Sequence, residues 1–241
     1  MYRLLETWGA PPYDLALDES LQRLVEERGE TPGLLRLWRP RQRFVVLGYG
    51  RRLAEEVNLE ACRRLSVPIY RRRTGGGTVL QSPGCLNYAL VLPAEELPTA
   101  PRSAQQAVLE RIAAAIRQAF GLPLEIEETD LVLGDRKVAG TAARRQRQSW
   151  LIHGSLLLEP DLELMEQVLR TPDRQPAYRR GRSHREFLGR LPLAPESLEE
   201  TLIQAFHAAE SLPESLRERC REETRRLVEE LYGQKEWIER L

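Results

Sequence analysis

The stretch from Leu124 to Leu158 reads LEIEETDLVLGDRKVAGTAARRQRQSWLIHGSLLL. Short apolar runs separated by turn residues predict four successive strands in it, near Leu124–Ile126, Asp130–Leu133, Lys137–Ala142 and Trp150–Leu158. The rest of the chain mixes strands and helices without a steady β-α-β alternation. This order predicts an α+β fold with a mixed or antiparallel sheet rather than a doubly wound one.

Outside this stretch, apolar periodicity predicts both helices and further strands. The helices are predicted at Asp14–Glu27, Leu53–Leu65, Ser103–Phe120, Asp161–Leu169, Leu198–Ala209 and Pro213–Leu231. The strands are predicted at Leu34–Trp38, Arg43–Leu47 and Pro68–Arg72, followed by a strand pair, Thr78–Leu80 with Leu86–Leu92, around the Ser82-Pro83-Gly84 turn. The Arg-, Pro- and Gly-rich stretch from Arg170 to Gly189 predicts a long loop, and loops of that size are often functional.

Composition excludes several classes of protein. The 36 basic residues equal the 36 acidic ones, which argues against a general nucleic-acid binder. No apolar run is long enough to span a bilayer, and the first residues lack the apolar stretch of a signal peptide. The three cysteines, Cys62, Cys85 and Cys220, are too few and too widely spaced for a disulfide framework or a metal cluster. We therefore expect a cytoplasmic protein that binds neither nucleic acid nor membrane.

Lysine is rare in this chain. Only Lys137 and Lys235 are lysines among the 36 basic residues. Arginine is a planar, permanently charged fork, while lysine is a compact charge on a thin stem. Lys137 is therefore a candidate for a position where only lysine functions, the alternative being an ordinary surface lysine in an arginine-rich proteome.

Three short segments carry chemistry. In Arg71–Val79, three glycines can expose backbone N–H groups to an anion and the neighbouring arginines can add bidentate contacts; the alternative is a glycine-rich hairpin with solvated arginines. In Gly134–Ala142, small residues flank Lys137 on a predicted strand; the alternative is a hairpin with an exposed lysine. The segment Ile152–Leu158 contains His153 beside Gly154. A lone histidine beside a glycine on an apolar strand is usually a hydrogen-bonded core histidine.

Together these segments resemble the lipoate- and octanoate-handling acyltransferases that are related to biotin ligase. The family pattern runs Arg-Arg-x-Ser/Thr-Gly-Gly-Gly, Asp-Leu-Val, Lys-x-x-Gly-x-Ala and His-Gly-Ser/Thr-Leu-Leu. The matching residues are Arg71–Gly77, Asp130–Val132, Lys137–Ala142 and His153–Leu157. Further similarity lies in Tyr13–Glu19, in Leu37-Trp38 and in Tyr232–Trp237. The resemblance covers nearly the whole chain and is strongest to the lipoate–protein ligase branch.

The resemblance implies an α+β catalytic domain of the biotin/lipoate-ligase type, with a mixed sheet flanked by helices. It implies that ATP and Mg²⁺ activate lipoate or octanoate as an acyl-adenylate, and that the acyl group passes to a lysine of a carrier domain. Lys137 would act on the acyl carbonyl oxygen and the phosphate, Asp130 would contact the nucleotide or Mg²⁺, and His153 would shape the pocket. The positions that would face substrate and adenylate are Arg71, Arg72, Thr74, Gly75, Gly76, Gly77, Thr78, Val79, Gly140, Thr141, Ala142, His153 and Gly154.

The same resemblance implies partners and a domain organisation. The acyl acceptors would be lipoyl-domain carrier proteins, either E2 subunits or a glycine-cleavage H-like protein. We expect residues 1–241 to form one catalytic domain without the large C-terminal accessory domain of the usual bacterial ligase. A separate small accessory subunit would then supply that function, unless it is dispensed with. One departure from the family pattern is Gln81-Ser82, where the family often has His-Asp.

Two other functions remain open at this level. Some family members transfer octanoyl or lipoyl groups without ATP through a cysteine thioester. The segments of this chain that correspond to the positions of those cysteines, Gly121–Arg136 and Leu158–Gly189, contain no cysteine. Cys85 is the remaining candidate nucleophile, although free cysteines commonly occupy buried positions. The third possibility is a non-catalytic protein that binds an acyl chain or a lipoyl domain. A biotin ligase fits less well, because that branch has a different glycine-rich loop.

Overall fold

The computed structural model describes residues 1–28, 32–172 and 174–241. Its strands are β1 (Tyr2–Leu5), β2 (Leu34–Trp38), β3 (Phe44–Leu47), β4 (Ile69–Arg71), β5 (Val79–Gln81), β6 (Cys85–Pro93), β7 (Leu124–Glu127), β8 (Asp130–Leu133), β9 (Arg136–Arg145), β10 (Ser149–Leu157) and β11 (Glu210–Ser211). Its helices are α1 (Pro11–Arg28), α2 (Leu53–Glu56), α3 (Leu59–Arg64), α4 (Pro101–Phe120), α5 (Leu162–Val168), α6 (His184–Phe187), α7 (Pro195–Ala205), α8 (Glu214–Leu227) and α9 (Lys235–Ile238). A π-helical turn, Val228–Tyr232, directly follows α8.

Eight strands form one mixed sheet in the order β11-β1-β2-β6-β10-β9-β8-β7. β11, β1 and β2 are parallel to one another, and every pair from β2 to β7 is antiparallel. The prediction of an α+β fold with a mixed, largely antiparallel sheet is therefore confirmed. The four strands predicted between Leu124 and Leu158 are β7 to β10. The short strands β1 and β11 were not predicted, because only their pairing with distant strands makes them extended.

The predicted pairing across the Ser82-Pro83-Gly84 turn is wrong. β5 pairs with β3 in a separate three-stranded sheet of order β4-β3-β5, while β6 lies in the middle of the large sheet. The turn carries the chain from one sheet to the other and packs tightly: a Cβ atom on Gly84 would lie 1.8 Å from the carbonyl oxygen of Glu159. The backbone oxygen of Gly84 also accepts hydrogen bonds from the amides of Leu158 and Glu159.

Two other predicted elements differ from the structure. The helix predicted over Leu53–Leu65 is divided into α2 and α3, because Val57 and Asn58 adopt extended backbone and the Asn58 side chain caps α3 by accepting from the Ala61 amide at 3.2 Å. The stretch from Arg170 to Gly189 is not a plain loop: it contains a 3₁₀ turn, Ala177–Arg179, and the short helix α6.

Helices cover both faces of the large sheet. On one face α4 and α7 pack their apolar sides against the sheet. α4 begins with Pro101 in its first turn and ends at Gly121, whose φ of 68° is the left-handed conformation that glycine favours at a helix end. On the other face lie α1 and α8. No helix in the described part of the chain has the length and apolar character needed to cross a bilayer.

Candidate active site

A cavity of about 450 Å³ lies on the α1 side of the large sheet. Its wall is formed by α1, the three-stranded sheet, β9, β10 and the segment from Arg170 to Leu188. The predicted positions found in this wall are Arg72, Gly76, Gly77, Thr78, Val79, Asp130, Lys137, Gly140, Thr141, Ala142, His153 and Gly154. Four predicted positions lie outside it: Arg71, Thr74, Gly75 and Cys85.

Lys137 lies in the cavity wall as part of an ion pair. Its Nζ is 2.8 Å from Asp130 Oδ1, and its side chain is 25% exposed. Gly140 provides the room for this arrangement, because a Cβ atom there would come within 2.9 Å of both Cε and Nζ of Lys137. The ammonium end of Lys137 therefore lies over Gly140 in the cavity wall.

A β-bulge places Lys137 on this side of the sheet. Side chains alternate along a strand, so residues three apart normally lie on opposite faces. The pairing of β8 with β9 shifts register between Leu131 and Val132, so that Asp130 faces Gly140 while Val132 faces Lys137. The extra residue, Val138, is buried. Because a bulge reverses the alternation, Lys137 and Gly140 share one face.

Asp130 bonds to Lys137 and also to the segment from Arg170 to Leu188, which forms part of the cavity wall. Its second carboxylate oxygen accepts a hydrogen bond from the Tyr178 hydroxyl at 2.7 Å. Burial and the charge of Asp130 together raise the pKa of Tyr178, which keeps the phenol protonated as a donor. The segment is also anchored on β9, since the amide of Gly189 donates to the carbonyl of Lys137 at 2.8 Å.

The second arginine of the glycine-rich segment shapes the loop from within. Arg72 donates through Nε to Thr74 Oγ1 at 3.0 Å, and through Nη2 to the carbonyls of Gly75 and Gly77 at 2.7 and 2.8 Å. Burial lowers its pKa to about 10, so the guanidinium remains charged at neutral pH. The loop therefore curves around a buried arginine.

Arg71 does not face the cavity, which corrects the prediction that it contacts acyl chain and phosphate. It is fully buried. Its guanidinium donates, at 2.6 to 3.2 Å, to the backbone carbonyls of Gly48, Tyr49, Arg51, Trp237 and Ile238. The indole of Trp237 donates in return to the Arg71 carbonyl at 2.9 Å. Arg71 thus ties α9 to β4, and these bonds use its hydrogen-bonding capacity.

His153 is fixed from both ring nitrogens. Its Nδ1 is 2.9 Å from Asp18 Oδ2 and its Nε2 is 2.7 Å from Thr74 Oγ1. Asp18 also receives a hydrogen bond from Arg36 at 2.6 Å, and the same guanidinium contacts Asp14 at 2.9 Å. Burial alone would raise the pKa of Asp18, but Arg36 and His153 outweigh it and lower that pKa. With a proton on Nδ1 donated to Asp18 and with Nε2 accepting from Thr74, every group in this series of hydrogen bonds has a partner.

The cavity wall also combines apolar and polar groups. Among its apolar residues are Leu15, Trp38, Val46, Leu80 and Leu157. Among them three polar side chains satisfy one another: Gln81 donates to Ser155 at 2.8 Å, Ser155 to Asn87 at 2.5 Å, and Asn87 to Gln81 at 3.0 Å. Gln81, the departure from the family pattern, is therefore part of a self-contained triad in the cavity wall.

The cysteines lie away from this chemistry. Cys85 is fully buried in an apolar cluster with residues of α3 and α5, and burial raises the pKa of its thiol. Cys62 and Cys220 are buried in α3 and α8. No cysteine belongs to the cavity wall as the described residues form it.

Several wall residues were missed by sequence reasoning. Asp18 lies in α1, and only the similarity of Tyr13–Glu19 to the family pointed toward it; its buried partner Arg36, which is not itself in the wall, was also missed. Arg179 and His184 lie in the segment predicted as a loop. Nothing in the local sequence marks Arg179 among its many neighbouring arginines.

A mixed sheet flanked by helices thus carries a cavity whose wall includes the glycine-rich loop, Lys137 and His153. The model of the lipoyl protein ligase A/B catalytic domain matches residues 10–207, and the chain belongs to that family. The family that the motifs resembled is thereby confirmed.

Two relatives show the range of named activities near this chain. Lipoate-protein ligase A subunit 1 of Thermoplasma acidophilum is 28% identical, over 97% of this chain and 94% of that protein. Octanoyltransferase LipM of Symbiobacterium thermophilum is 29% identical, over 98% of this chain and 97% of that protein. A ligase and a transferase are thus similar to the chain to the same degree.

Solved structures share the whole architecture. A chain from the bi-partite lipoate protein ligase and E2 lipoyl domain of Thermoplasma acidophilum has a TM-score of 0.84 at 25% identity, covering 99% of this chain and 95% of that one. A lipoate-protein ligase A crystallised with ATP has a TM-score of 0.81 at 25% identity, covering 100% and 99%.

Proposed function

We propose that this chain is an ATP-dependent lipoate–protein ligase of the cytoplasm. It activates lipoate or octanoate as an acyl-adenylate and transfers the acyl group to a lysine of a lipoyl-domain carrier. The proposal is carried by one observation about which side chains the cavity wall contains. Lys137 lies in the cavity wall, and within the described part of the chain no thiol does.

The chemistry follows from the substrate. A carboxylate is a poor electrophile, so its oxygen first attacks the α-phosphorus of ATP and pyrophosphate leaves. The lysine amine of the carrier then attacks the carbonyl carbon of the mixed anhydride, and AMP leaves. Both steps build negative charge on oxygen atoms near the anhydride. A preorganised ammonium group is most effective where such charge develops, and Lys137 supplies it.

The cavity suits both parts of the substrate. The apolar residues of its wall can contact an acyl chain, while Arg72, Gly76, Gly77 and Thr78 offer a loop for phosphate. This support comes from the wall composition and from the charge of the buried Arg72. The relative crystallised with ATP adds weight to a nucleotide substrate.

The role of Asp130 toward nucleotide or Mg²⁺ stays a prediction. Magnesium ions usually take one or two carboxylates together with phosphate oxygens. Here both oxygens of Asp130 already bond to Lys137 and Tyr178, and no cluster of three metal-ligating side chains occurs among residues 1–28, 32–172 and 174–241. Asp130 therefore fits the orientation of Lys137 better than it fits metal binding.

Partners follow from the relatives. A bi-partite ligase with its E2 lipoyl domain is among the similar structures, and the similar archaeal sequence is named as a subunit. We propose that the acyl acceptor is a lipoyl domain of an E2 subunit or of an H-like protein. We also propose that residues 1–241 act as one catalytic domain whose adenylation depends on a separate accessory subunit.

A transfer reaction without ATP is the second candidate, and the similarity to octanoyltransferase LipM favours it. It needs a nucleophile that the acyl donor can reach. Cys85, which would have to serve, is fully buried and its pKa is raised by that burial. An active cysteine needs an accessible thiolate, so the geometry opposes this route.

The test uses purified protein, an apo lipoyl domain and two acyl donors. With lipoate, ATP, Mg²⁺ and the accessory subunit, we expect acylation of the carrier and release of pyrophosphate, and little of either when the accessory subunit is left out. Acylation from octanoyl-acyl carrier protein without ATP, at an equal rate, would contradict the proposal. Cys85→Ala is the matched variant: the ligase reaction should be unchanged, whereas a thioester route would stop. Pyrophosphate release would also exclude a protein that only binds acyl groups.

A further inference from the structure

Unmatched polar atoms concentrate around the cavity. Nine buried side-chain nitrogen or oxygen atoms in the described residues have no hydrogen-bond partner. Five of them belong to residues of the cavity wall: Trp38, Thr78, Tyr88, Arg179 and His184. Buried polar groups in folded proteins are nearly always satisfied, so a wall with several unsatisfied groups indicates a polar ligand.

Among these groups, the Arg179 guanidinium costs the most free energy to bury without a hydrogen-bond partner. The residue is 4% exposed, and its Nη2 has no partner among the described residues. Its Nε donates to the carbonyl of Arg182 at 2.9 Å, and its guanidinium carbon lies 4.9 Å from the centre of the Phe187 ring. The side chain is therefore fixed on one side and unmatched on the other.

The surroundings of Arg179 do not neutralise it. Burial lowers the pKa of Arg179, and Arg182 lowers it further, while Glu166 and Tyr178 act in the opposite direction. The Glu166 carboxylate, which acts on Arg179 through its charge, faces His184, with Oε2 at 3.8 Å from Nδ1, and accepts from the Arg185 amide at 3.3 Å. Its side chain is 37% exposed, so solvent screens its charge.

Several cationic side chains lie in the cavity wall, and among them Lys137 and Arg179 differ in how they are paired. Lys137 is paired with Asp130, whereas Arg179 lacks a carboxylate hydrogen-bonded to it in the described residues. A planar guanidinium with free N–H groups matches phosphate oxygens in geometry and charge. Arg179 lies in a 3₁₀ turn and its guanidinium packs on the Phe187 ring, so the side chain is held in place before a ligand binds.

We propose that Arg179 is an oxyanion-binding residue that takes a phosphate group of the acyl donor. The proposal rests on the proposed function for the identity of the donor, but the phosphate chemistry does not depend on it. The phosphate belongs either to a nucleotide or to the phosphopantetheine arm of an acyl carrier. His184, whose pKa is lowered by burial and by Arg179, lies beside it as a mainly neutral imidazole.

The chain offers a matched control one residue away. Arg180 is exposed and does not belong to the cavity wall. Its φ of 53° is the same burden for arginine and for glutamine. Arg179→Gln and Arg180→Gln therefore remove the same charge from adjacent positions, one inside the cavity and one outside.

Calorimetric titration with inorganic pyrophosphate, ATP and phosphopantetheine tests the proposal. We expect Arg179→Gln to weaken binding of at least one phosphate probe by about tenfold to a hundredfold, with Arg180→Gln unchanged. Weaker ATP and pyrophosphate binding assigns the site to the nucleotide, and weaker phosphopantetheine binding assigns it to the carrier.

Two results would overturn the proposal: unchanged binding in Arg179→Gln, or no binding of any probe to the unmodified chain. If Arg179→Gln does not fold, as judged by thermal unfolding, Arg179→Lys replaces it. That variant keeps the charge without the planar fork, and we expect at least a several-fold loss of affinity, equal affinity being the contrary result. Ligase assays of the unmodified chain are separate, so a failure of the proposed function is distinguishable.

Discussion

Asp18 Oδ2 and His153 Nδ1 lie 2.9 Å apart although 135 residues separate them along the chain. The contact joins α1 to β10 beneath the cavity. Through the opposite ring nitrogen it continues to Thr74 and hence to the glycine-rich loop. One buried carboxylate thereby positions both an imidazole and a loop that we expect to contact substrate.

Asp18→Asn should damage both stability and acyl transfer. An asparagine can accept from His153 or from Arg36 with its single oxygen, but its amide then opposes the other. Loss of one partner from a buried ion pair costs about 3–5 kcal/mol. Denaturant unfolding and kcat for carrier acylation measure the two effects.

Asp14→Asn is the control for this variant. Asp14 shares Arg36 but does not bond to His153. We expect it to lower stability while the folded protein keeps its kcat. Equal kcat in both variants would show that Asp18 acts on stability alone.

Stability should decline in acid because of the same cluster. Burial raises the pKa values of Asp18 and Glu19, but their arginine partners and other donors outweigh it and lower both below their ordinary values of 3.8 and 4.5. Carboxylates with lowered pKa values stabilise the fold above those ordinary values, and this stabilisation is lost as pH falls through the lower ones. Asp14, whose pKa burial raises, changes in the opposite sense.

We therefore expect the unfolding midpoint to be steady near neutral pH and to fall below about pH 4.5. Circular dichroism melts across that range measure it. Asp18→Asn should show a shallower acid dependence than the unmodified chain, and an identical dependence would remove Asp18 from this account.

Lys137→Arg should abolish most acyl transfer while preserving the fold. The lysine stem lies against Gly140, where even an added Cβ would come within 2.9 Å of it. The broader guanidinium does not fit that space and would point its charge elsewhere. By comparison with the loss of one preorganised donor, we expect a reduction of about 10²–10³ in kcat.

Lys235→Arg is the matched control, because Lys235 is the only other lysine in the sequence. Its side chain is 77% exposed and pairs with Glu239 at 3.8 Å. We expect wild-type rates. If Lys137→Arg also kept most activity, its rarity in the sequence would have no catalytic meaning.

Gly140→Ala and Gly154→Ala should separate catalysis from folding. At Gly140 the new methyl group meets the flexible end of Lys137, which can move aside at little cost in stability but loses its position. At Gly154 it would lie 2.4 Å from the Gly140 carbonyl oxygen, which is backbone and cannot yield easily. We expect Gly140→Ala to lose activity with a near-normal melting temperature, and Gly154→Ala to lose stability first. The reverse order would contradict the arrangement.

Arg71→Lys should destabilise the protein by on the order of 3 kcal/mol. A lysine cannot replace the hydrogen bonds that the Arg71 guanidinium makes to five carbonyls. Limited proteolysis should then release the segment around Trp237. Arg73→Lys, at a side chain that is 31% exposed, is the milder control. Unchanged stability with lost ligand affinity would restore Arg71 to the substrate site.

Most of the candidate residues predicted from the sequence lie in the cavity wall, because local patterns mark them. Glycines, a lone lysine and a histidine beside glycine occur in short segments, and β7 to β10 follow from apolar runs and turns. Prediction failed where one local pattern allows two outcomes. Arg71 and Arg72 are adjacent and chemically identical, yet successive residues of a strand point to opposite sides. One ties down α9, and the other supports the loop beside the cavity.

By itself, the sequence determined the α+β class, the glycine-rich loop and the candidacy of Lys137, because composition and short-range spacing are sufficient for these. Tertiary structure decided which charges meet. The bulge at Val138 turns Lys137 toward Asp130, and α1 brings Asp18 to His153. The segment from Arg170 to Leu188 brings Arg179 into the cavity wall. Hydrogen bonds between distant segments exist only after packing removes water from both partners, so no local pattern could have predicted them.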